Sequence, residues 1–360
     1  MEIGIVGLPN VGKSTLFNAL TSGHAASSNY PFTTIEPNVG VVSVPDARLK
    51  RLSEIFKSEK TVPAAIRFVD IAGLVQGASE GQGLGNKFLA NIREVDAIVH
   101  IVRFFGNHDV VHVMGGVDPK RDIEVINTEL ALADLSSVEA QMDKAQSQAK
   151  SGDKIAIERY DIAKKIHAVL AEGKPVRAMG LPKTATRSFG LLTDKPVLYV
   201  GNMDEPGKES PALAGAVEQL AKGDGAGLLV LCGKLEAEIA ELEGAEREIF
   251  LKEMGLELSG LDRLIHAAYK LLGLITFFTA GPKESRAWTI TKGTFSPQAA
   301  GKIHTDMETG FIRADVYRFD DMDRMGSEAA LREKGLIRSE GKTYEFQDGD
   351  TVFFHFQKPR

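Results

Sequence analysis

Residues Gly7-Leu8-Pro9-Asn10-Val11-Gly12-Lys13-Ser14-Thr15 decide how this chain folds. They match the pattern G-x-x-x-x-G-K-[ST]. The residues before them, Glu2 to Val6, read as a short buried strand, and Lys13 to Leu20 follow a helical pattern. Strand, loop and helix in that order are the setting the motif needs. Its glycines let main-chain N–H groups turn towards phosphates, Lys13 reaches the β- and γ-phosphates, and the Ser14 hydroxyl binds Mg²⁺. The helix adds the positive end of its dipole. Asn10, Val11, Gly12, Lys13, Ser14 and Thr15 are therefore the expected nucleotide contacts.

Outward from this loop, Val39–Val44, Ala65–Val69, Ala97–Val102, Pro196–Val200 and Leu228–Leu231 read as further strands. Arg48–Phe56 and Asn86–Val95 suit helices. Strands alternating with helices predict a doubly wound, mostly parallel sheet with its ligand at the carboxyl ends of the strands.

Two more elements fix the class. Asp70-Ile71-Ala72-Gly73 follows a strand and has the form D-x-x-G. Asp70 is expected to hold Mg²⁺ through water, and the Gly73 N–H to sense the γ-phosphate. Tyr30-Pro31-Phe32-Thr33-Thr34 lies where a switch threonine belongs, and one of its two hydroxyls should complete the Mg²⁺ shell. In this order, the three motifs describe a Ras-like P-loop G domain and a nucleotide hydrolase. The run Gly73–Gly85 holds five glycines, which suits a segment ordered by the γ-phosphate.

Ras-type enzymes carry a glutamine after D-x-x-G to orient the attacking water. Leu74 stands here and cannot do that. Two leads for the missing group stay open. Asn10 could help bind K⁺ beside the phosphates, or it could simply tighten the loop. His112, in a loop with Gly106, Asn107, Gly115 and Gly116, could reach the γ-phosphate. His100 falls inside an apolar strand and reads as a core residue.

Base choice should be set after the strand Pro196–Val200. A GTPase carries N-K-x-D there, its Asp pairing with guanine N1–H and the 2-amino group. This chain has Asn202-Met203-Asp204-Glu205. Glutamate is one methylene longer and loses that bidentate geometry, which removes the discrimination for guanine and favours ATP. The usual last loop would fall, weakly recognisable, at Cys232-Gly233-Lys234.

The remaining chain divides in two. From about Asn127 to Leu170 there is no strand signal, only Ala, Glu, Gln, Lys and Leu broken at Ser151-Gly152, which predicts a helical hairpin or coiled coil. Residues 141–190 carry ten Lys/Arg against five Asp/Glu, a local +5 in a chain of net charge −6. Lys174, Arg177, Lys183 and Arg187 form an acid-free tail that offers RNA phosphates salt-sensitive contacts. After residue 274, short β-like runs alternate with turns, as in a small α+β domain. The expected domains are therefore a G domain at 1–126 and 191–274, a helical insertion at 127–190, and a C-terminal domain at 275–360.

At 360 residues the chain exceeds one compact core, and its composition is that of a water-soluble globular protein. Its single cysteine, Cys232, rules out an internal disulfide framework and suits a reducing cytoplasm. The N-terminus lacks the basic start and apolar stretch of a signal peptide, and the longest apolar run, near Leu271–Phe278, is too short for a membrane span.

These residues together resemble the Obg-like ATPases of the YchF type. The likeness rests on GLPNVGKSTLFNAL at 7–20, NYPFTTIEPNVG at 29–40, the glycine-rich run after DIAG, NMDE at 202–205 and HTDMETGFIRADV at 304–316, and it covers nearly the whole chain. The last stretch is similar to the signature of a TGS domain, a small β-grasp module. The resemblance implies a G domain, coiled-coil insertion and TGS domain, and ATP preference through N-x-x-E, with Met203 against the adenine. It implies that Thr34 rather than Thr33 meets Mg²⁺, that Leu74 replaces the hydrolytic glutamine, and a greater weight on His112. It also implies ribosome association, through the helical insertion and the TGS domain.

Overall fold

The computed structural model describes residues 1–23, 38–72, 83–106, 116–150, 153–205 and 211–357. The chain divides into two compact units. One holds most of the N-terminal three quarters, and the other combines Ile265–Arg360 with Val41–Ile66.

Among the described residues, six strands make the sheet of the first unit in the order β2-β4-β1-β5-β6-β7. They are β1 Glu2–Val6, β2 Val39–Ser43, β4 Ala65–Asp70, β5 Ala97–Arg103, β6 Val197–Asn202 and β7 Gly227–Leu231. β1 pairs in parallel with β4 and β5, and β5, β6 and β7 follow in parallel. Every residue of β5 and β6 is buried, the mark of a parallel sheet covered on both faces. Helices α1 (Lys13–Gly23), α3 (Gly83–Glu94), α7 (Pro211–Gly223), α8 (Gly233–Glu241) and α9 (Gly244–Glu253) belong to this unit.

The helical insertion starts earlier than its composition suggested. α4 runs Pro119–Ala149 and α5 Lys154–Ala171. Asp118 sets the start: its side chain accepts from the Arg121 N–H, and Pro119 at the first turn needs no donor partner. Asp153 caps α5 in the same way. Ala131, Val138, Ala163, Ile166 and Leu170 form the seam between the helices.

The basic tail is not an open cationic surface. Val176, Phe189 and Leu191 close over the seam of the hairpin. Arg177 is buried, with its guanidinium bonded to Tyr199 Oη (3.1 Å) and facing Asp224 (3.5 Å). Lys183, at the start of the short helix α6 (Lys183–Thr186), pairs with Asp194 (2.9 Å), and Lys174 with Glu172 (2.8 Å). Of the four cations offered to RNA, only Arg187 is exposed without a charge partner among the described residues. Acids outside the tail supply the counter-charge: Glu172 and Asp194 nearby in sequence, and Asp224 brought in by the fold.

The second unit also takes a stretch from within residues 1–126, the first expected part of the G domain: α2 (Ala47–Phe56) and β3 (Lys60–Val62) pack with the C-terminal residues. Its sheet has the order β11-β10-β12-β8-β9-β3, with β8 Leu274–Thr279, β9 Glu284–Thr291, β10 Phe311–Arg318, β11 Arg338–Glu340 and β12 Asp350–Phe356. β3 is the edge strand beside β9. Arg48 of α2 explains the attachment: it bonds Asp348 (2.7 Å), and its guanidinium lies 5.3 Å from the centre of the Phe278 ring. Helices α10 (Gly260–Leu271), α11 (Ser296–Ile303), α12 (Thr305–Thr309), α13 (Phe319–Met325) and α14 (Glu328–Glu333) complete the set. The core is aromatic, with Phe277, Phe346 and Phe354 in mutual contact. Among the described residues, no helix is long and apolar enough to cross a membrane.

Candidate nucleotide site

The ladder registers bring the carboxyl ends of five strands side by side. Ile5 lies opposite Asp70, Val6 opposite His100, Arg103 opposite Asn202, and Asn202 opposite Leu231. The phosphate-binding motif leaves β1 at the centre of this row. Its glycines answer to steric need. A Cβ on Gly7 would lie 2.7 Å from the Ile101 carbonyl oxygen, and one on Gly12 would lie 2.2 Å from Asn202 Nδ2. Gly12 has φ +89°, and Asn10 has φ +66°, a left-handed conformation that asparagine tolerates better than most residues. That conformation is consistent with a loop-shaping role for Asn10 and leaves the K⁺ alternative open. Val11 is buried, so it faces the site through its main chain, whereas Ser14 and Thr15 are exposed at the first turn of α1.

Lys13 Nζ and Asp70 Oδ1 form an ion pair, and both side chains are largely screened from solvent. Phosphate-binding cation and expected metal ligand thus stand together at the ends of β1 and β4. Ser14 and Asp70 offer a hydroxyl and a single carboxylate. That sparse oxygen set fits Mg²⁺, which keeps waters and takes phosphate oxygens for the rest of its shell. No group of three or more His, Cys, Asp or Glu able to hold a metal occurs among the described residues.

On the base side, Asn202 is buried and its amide is doubly engaged. Nδ2 donates to the Val11 carbonyl (2.9 Å), and Oδ1 accepts from the Gly233 N–H (2.8 Å). One side chain therefore ties the phosphate loop to the loop between β7 and α8. Met203 is buried too, its N–H donating to the Leu231 carbonyl (2.9 Å). Cys232 Sγ donates to the Asp204 carbonyl (3.1 Å), joining the two base-side loops, and Glu205 is exposed. Phe104 packs on Gly201 so closely that a Cβ there would meet its ring at 2.9 Å. The buried Arg103 stacks 4.4 Å from the centre of the Phe105 ring.

Below the site, His100 is buried edge-on against Tyr199 (5.5 Å), in keeping with a core role. Burial, with help from the charge of Arg177, pushes its imidazole down to about 3, so it is neutral at ordinary pH. Tyr199 Oη donates to Asp224 (2.6 Å), and Asn127 of α4 bonds the same two groups (3.0 and 2.9 Å). This polar cluster joins the root of the insertion to the strand that ends in Asn202.

The structure thus gathers Asn10, Val11, Gly12, Lys13, Ser14, Thr15, Asp70, Asn202, Met203 and Glu205 at one end of the sheet. Thr33, Thr34, Gly73, Leu74 and His112 lie outside the described residues. Sequence reasoning missed the loop-tying role of Asn202, because its partners stand far along the chain and are main-chain groups that carry no side-chain signature.

Two family models match. One described as a 50S ribosome-binding GTPase covers residues 2–135, and the YchF GTPase C-terminal family, described as a protein of unknown function, covers 274–357. "Ribosome-binding ATPase YchF" of Haemophilus ducreyi is 53% identical, with 99% of each chain covered. The Bacillus subtilis protein of the same name is 50% identical, also over 99% of each. Among solved structures, that of the Schizosaccharomyces pombe YchF GTPase aligns with a TM-score of 0.88 at 36% identity, covering 99% of this chain and 97% of that one. Likeness of this degree over the full length of the chain places it in the YchF family.

Proposed function

We propose that this protein is a Mg²⁺-dependent ATPase, working as a slow nucleotide-controlled switch with the ribosome as its partner. The observation that carries the reading is the joining of two features at one end of the sheet. These are the Lys13, Ser14 and Asp70 cluster, and a base-side loop that holds Asn202 and Glu205 where a GTPase has Asn and Asp.

The roles follow from charge and position. Lys13 leaves Asp70 for the β- and γ-phosphates when nucleotide enters, and main-chain N–H groups of Asn10 to Ser14 cradle the same oxygens. Ser14, Thr34 and Asp70 would hold Mg²⁺, which draws off charge developing on the phosphate oxygens. The Gly73 N–H senses the γ-phosphate, so its loss on hydrolysis releases the glycine-rich segment. Met203 lies against the adenine and Glu205 reads its edge. With Leu74 unable to orient water, His112 or a K⁺ ion beside Asn10 supplies the hydrolytic assistance. Unassisted turnover should then be slow, roughly 10⁻⁴ to 10⁻² per second. The insertion and the C-terminal unit, in this reading a TGS domain, supply the ribosome contacts.

Support for ATP and for the ribosome comes from the names of the relatives above as well as from these residues. Calorimetric titration of ATP and GTP side by side, with Mg²⁺ in K⁺ buffer, tests the base choice. Tighter ATP binding is expected. A tenfold GTP preference, about 1.4 kcal/mol, would overturn the adenine reading.

A further inference from the structure

The sheet of the second unit is split at one end. β8 and β12 run side by side in parallel, but their ladder is short, with Thr351 opposite Phe278. Beyond that pair, β8 turns away towards β9, while β12 continues to Phe356 along β10. The strands part, and an open groove of about 790 Å³ lies between them.

The groove has two features of a strand-binding cleft. Alternate residues of a strand aim their N–H and C=O groups at opposite neighbours. From Val352 to Phe356, the groups that face away from β10 therefore look into the gap, where among the described residues no strand pairs with them. The side chains around it are apolar: Trp288, Ile303 and Met307 rest on the core, and Phe353, 63% exposed, stands at the rim. Trp288 is held in place, its Nε1 donating to Thr279 Oγ1 (2.9 Å) and the Arg286 guanidinium lying 4.8 Å from the ring centre.

Charge gives the occupant a sign. Glu284 faces both Lys60 (3.9 Å) and Arg286 (3.6 Å), so one carboxylate is shared by two cations and a net positive charge remains. Lys283 is exposed on the same rim and has no ion pair among the described residues. The rim is thus locally positive beside an apolar floor.

We propose that this groove binds an extended segment of a partner protein as a strand added along the part of β12 that runs past the end of β8. The segment carries apolar side chains at alternate positions, which enter the groove, and an acidic residue that meets Lys283. Single-stranded RNA, stacking on the aromatic rings, would need more unpaired cations than Lys283 alone.

The test starts from a displayed library of random dodecapeptides, selected on the full-length protein and counter-selected on the Lys283→Glu/Phe353→Asp double variant. Both positions are exposed, so folding should survive, and unchanged amide exchange at the core strand β10 of the variants verifies it. Enriched peptides should alternate apolar residues with at least one acid. A fluorescein-labelled copy should bind each single variant at least tenfold more weakly than the parent, and should slow amide exchange at Val352–Phe356. The proposal fails if nothing is enriched over the double variant, or if enriched peptides bind parent and variants alike. It fails also if dodecauridylate slows exchange at Val352–Phe356 while no peptide does.

Discussion

The side-chain amide of Asn202 donates a 2.9 Å hydrogen bond to the carbonyl of Val11, within the phosphate-binding loop. The residue at the head of the proposed base-recognition motif is therefore also a strut under the phosphate-loop motif. Asn202→Ala removes this bond and the one to Gly233, leaving a buried carbonyl and a buried N–H without partners, at about 1–3 kcal/mol each. The variant should lose stability in urea unfolding and should bind ATP, GTP and their diphosphates more weakly by a similar factor. If only ATP binding fell, Asn202 would act on the base alone.

In the proposed function, base selectivity belongs one step further along. Restoring the GTPase pattern with Met203→Lys and Glu205→Asp together should move the ATP-to-GTP affinity ratio at least tenfold towards GTP, about 1.4 kcal/mol. Calorimetry on the double variant measures it, and an unmoved ratio would show that discrimination lies outside residues 202–205.

Arg177 should prove structural. Its guanidinium is 5% exposed and sits among Asp224, Tyr199 and Asn127. Arg177→Met leaves Asp224 buried with its cation gone, a loss of about 3–5 kcal/mol. Arg187→Ala, on the surface, should change stability by less than about 0.5 kcal/mol. If the insertion meets RNA, Arg187→Ala should lower the salt dependence of ribosome binding, while any effect of Arg177→Met should track its lost stability.

The buried His100 gives the fold an acid sensitivity whose sign is fixed. Its folded pKa, about 3, is below the unfolded value of 6.5, so below pH 6.5 the unfolded chain binds a proton that the folded chain refuses. Stability from this source is complete above pH 6.5 and declines as the pH falls towards 3. Between pH 7 and pH 5 the loss should be about 2 kcal/mol. In urea unfolding at the two pH values, His100→Phe should lose less than the parent by that amount.

Legibility in the sequence followed the range of the interactions. The phosphate loop could be read because its chemistry is contiguous: Gly7, Gly12, Lys13 and Ser14 stand within eight residues and need the strand and helix on either side. Buried strands such as Ala97–Arg103 showed as largely apolar runs, interrupted there only by His100 before Arg103, since both faces of the central sheet are covered. The basic tail misled, because Arg177 and Lys183 find Asp224 and Asp194 only once the chain has folded back. The three-residue strand β3 was invisible for a similar reason, being too short for a period and defined by β9, more than two hundred residues away.

That borrowed strand bears on how the chain can be divided. The C-terminal sheet takes its edge, β3, and the helix carrying Arg48 from between two strands of the N-terminal sheet, so the second unit is built from two separate stretches of chain. A single cut near residue 265, by protease or by gene fission, would separate the earlier stretch from the sheet it finishes, exposing the edge of β9 and unburying Phe278. The two units are therefore bound to be inherited together. Shuffling the C-terminal part onto another protein would require moving two pieces of gene at once.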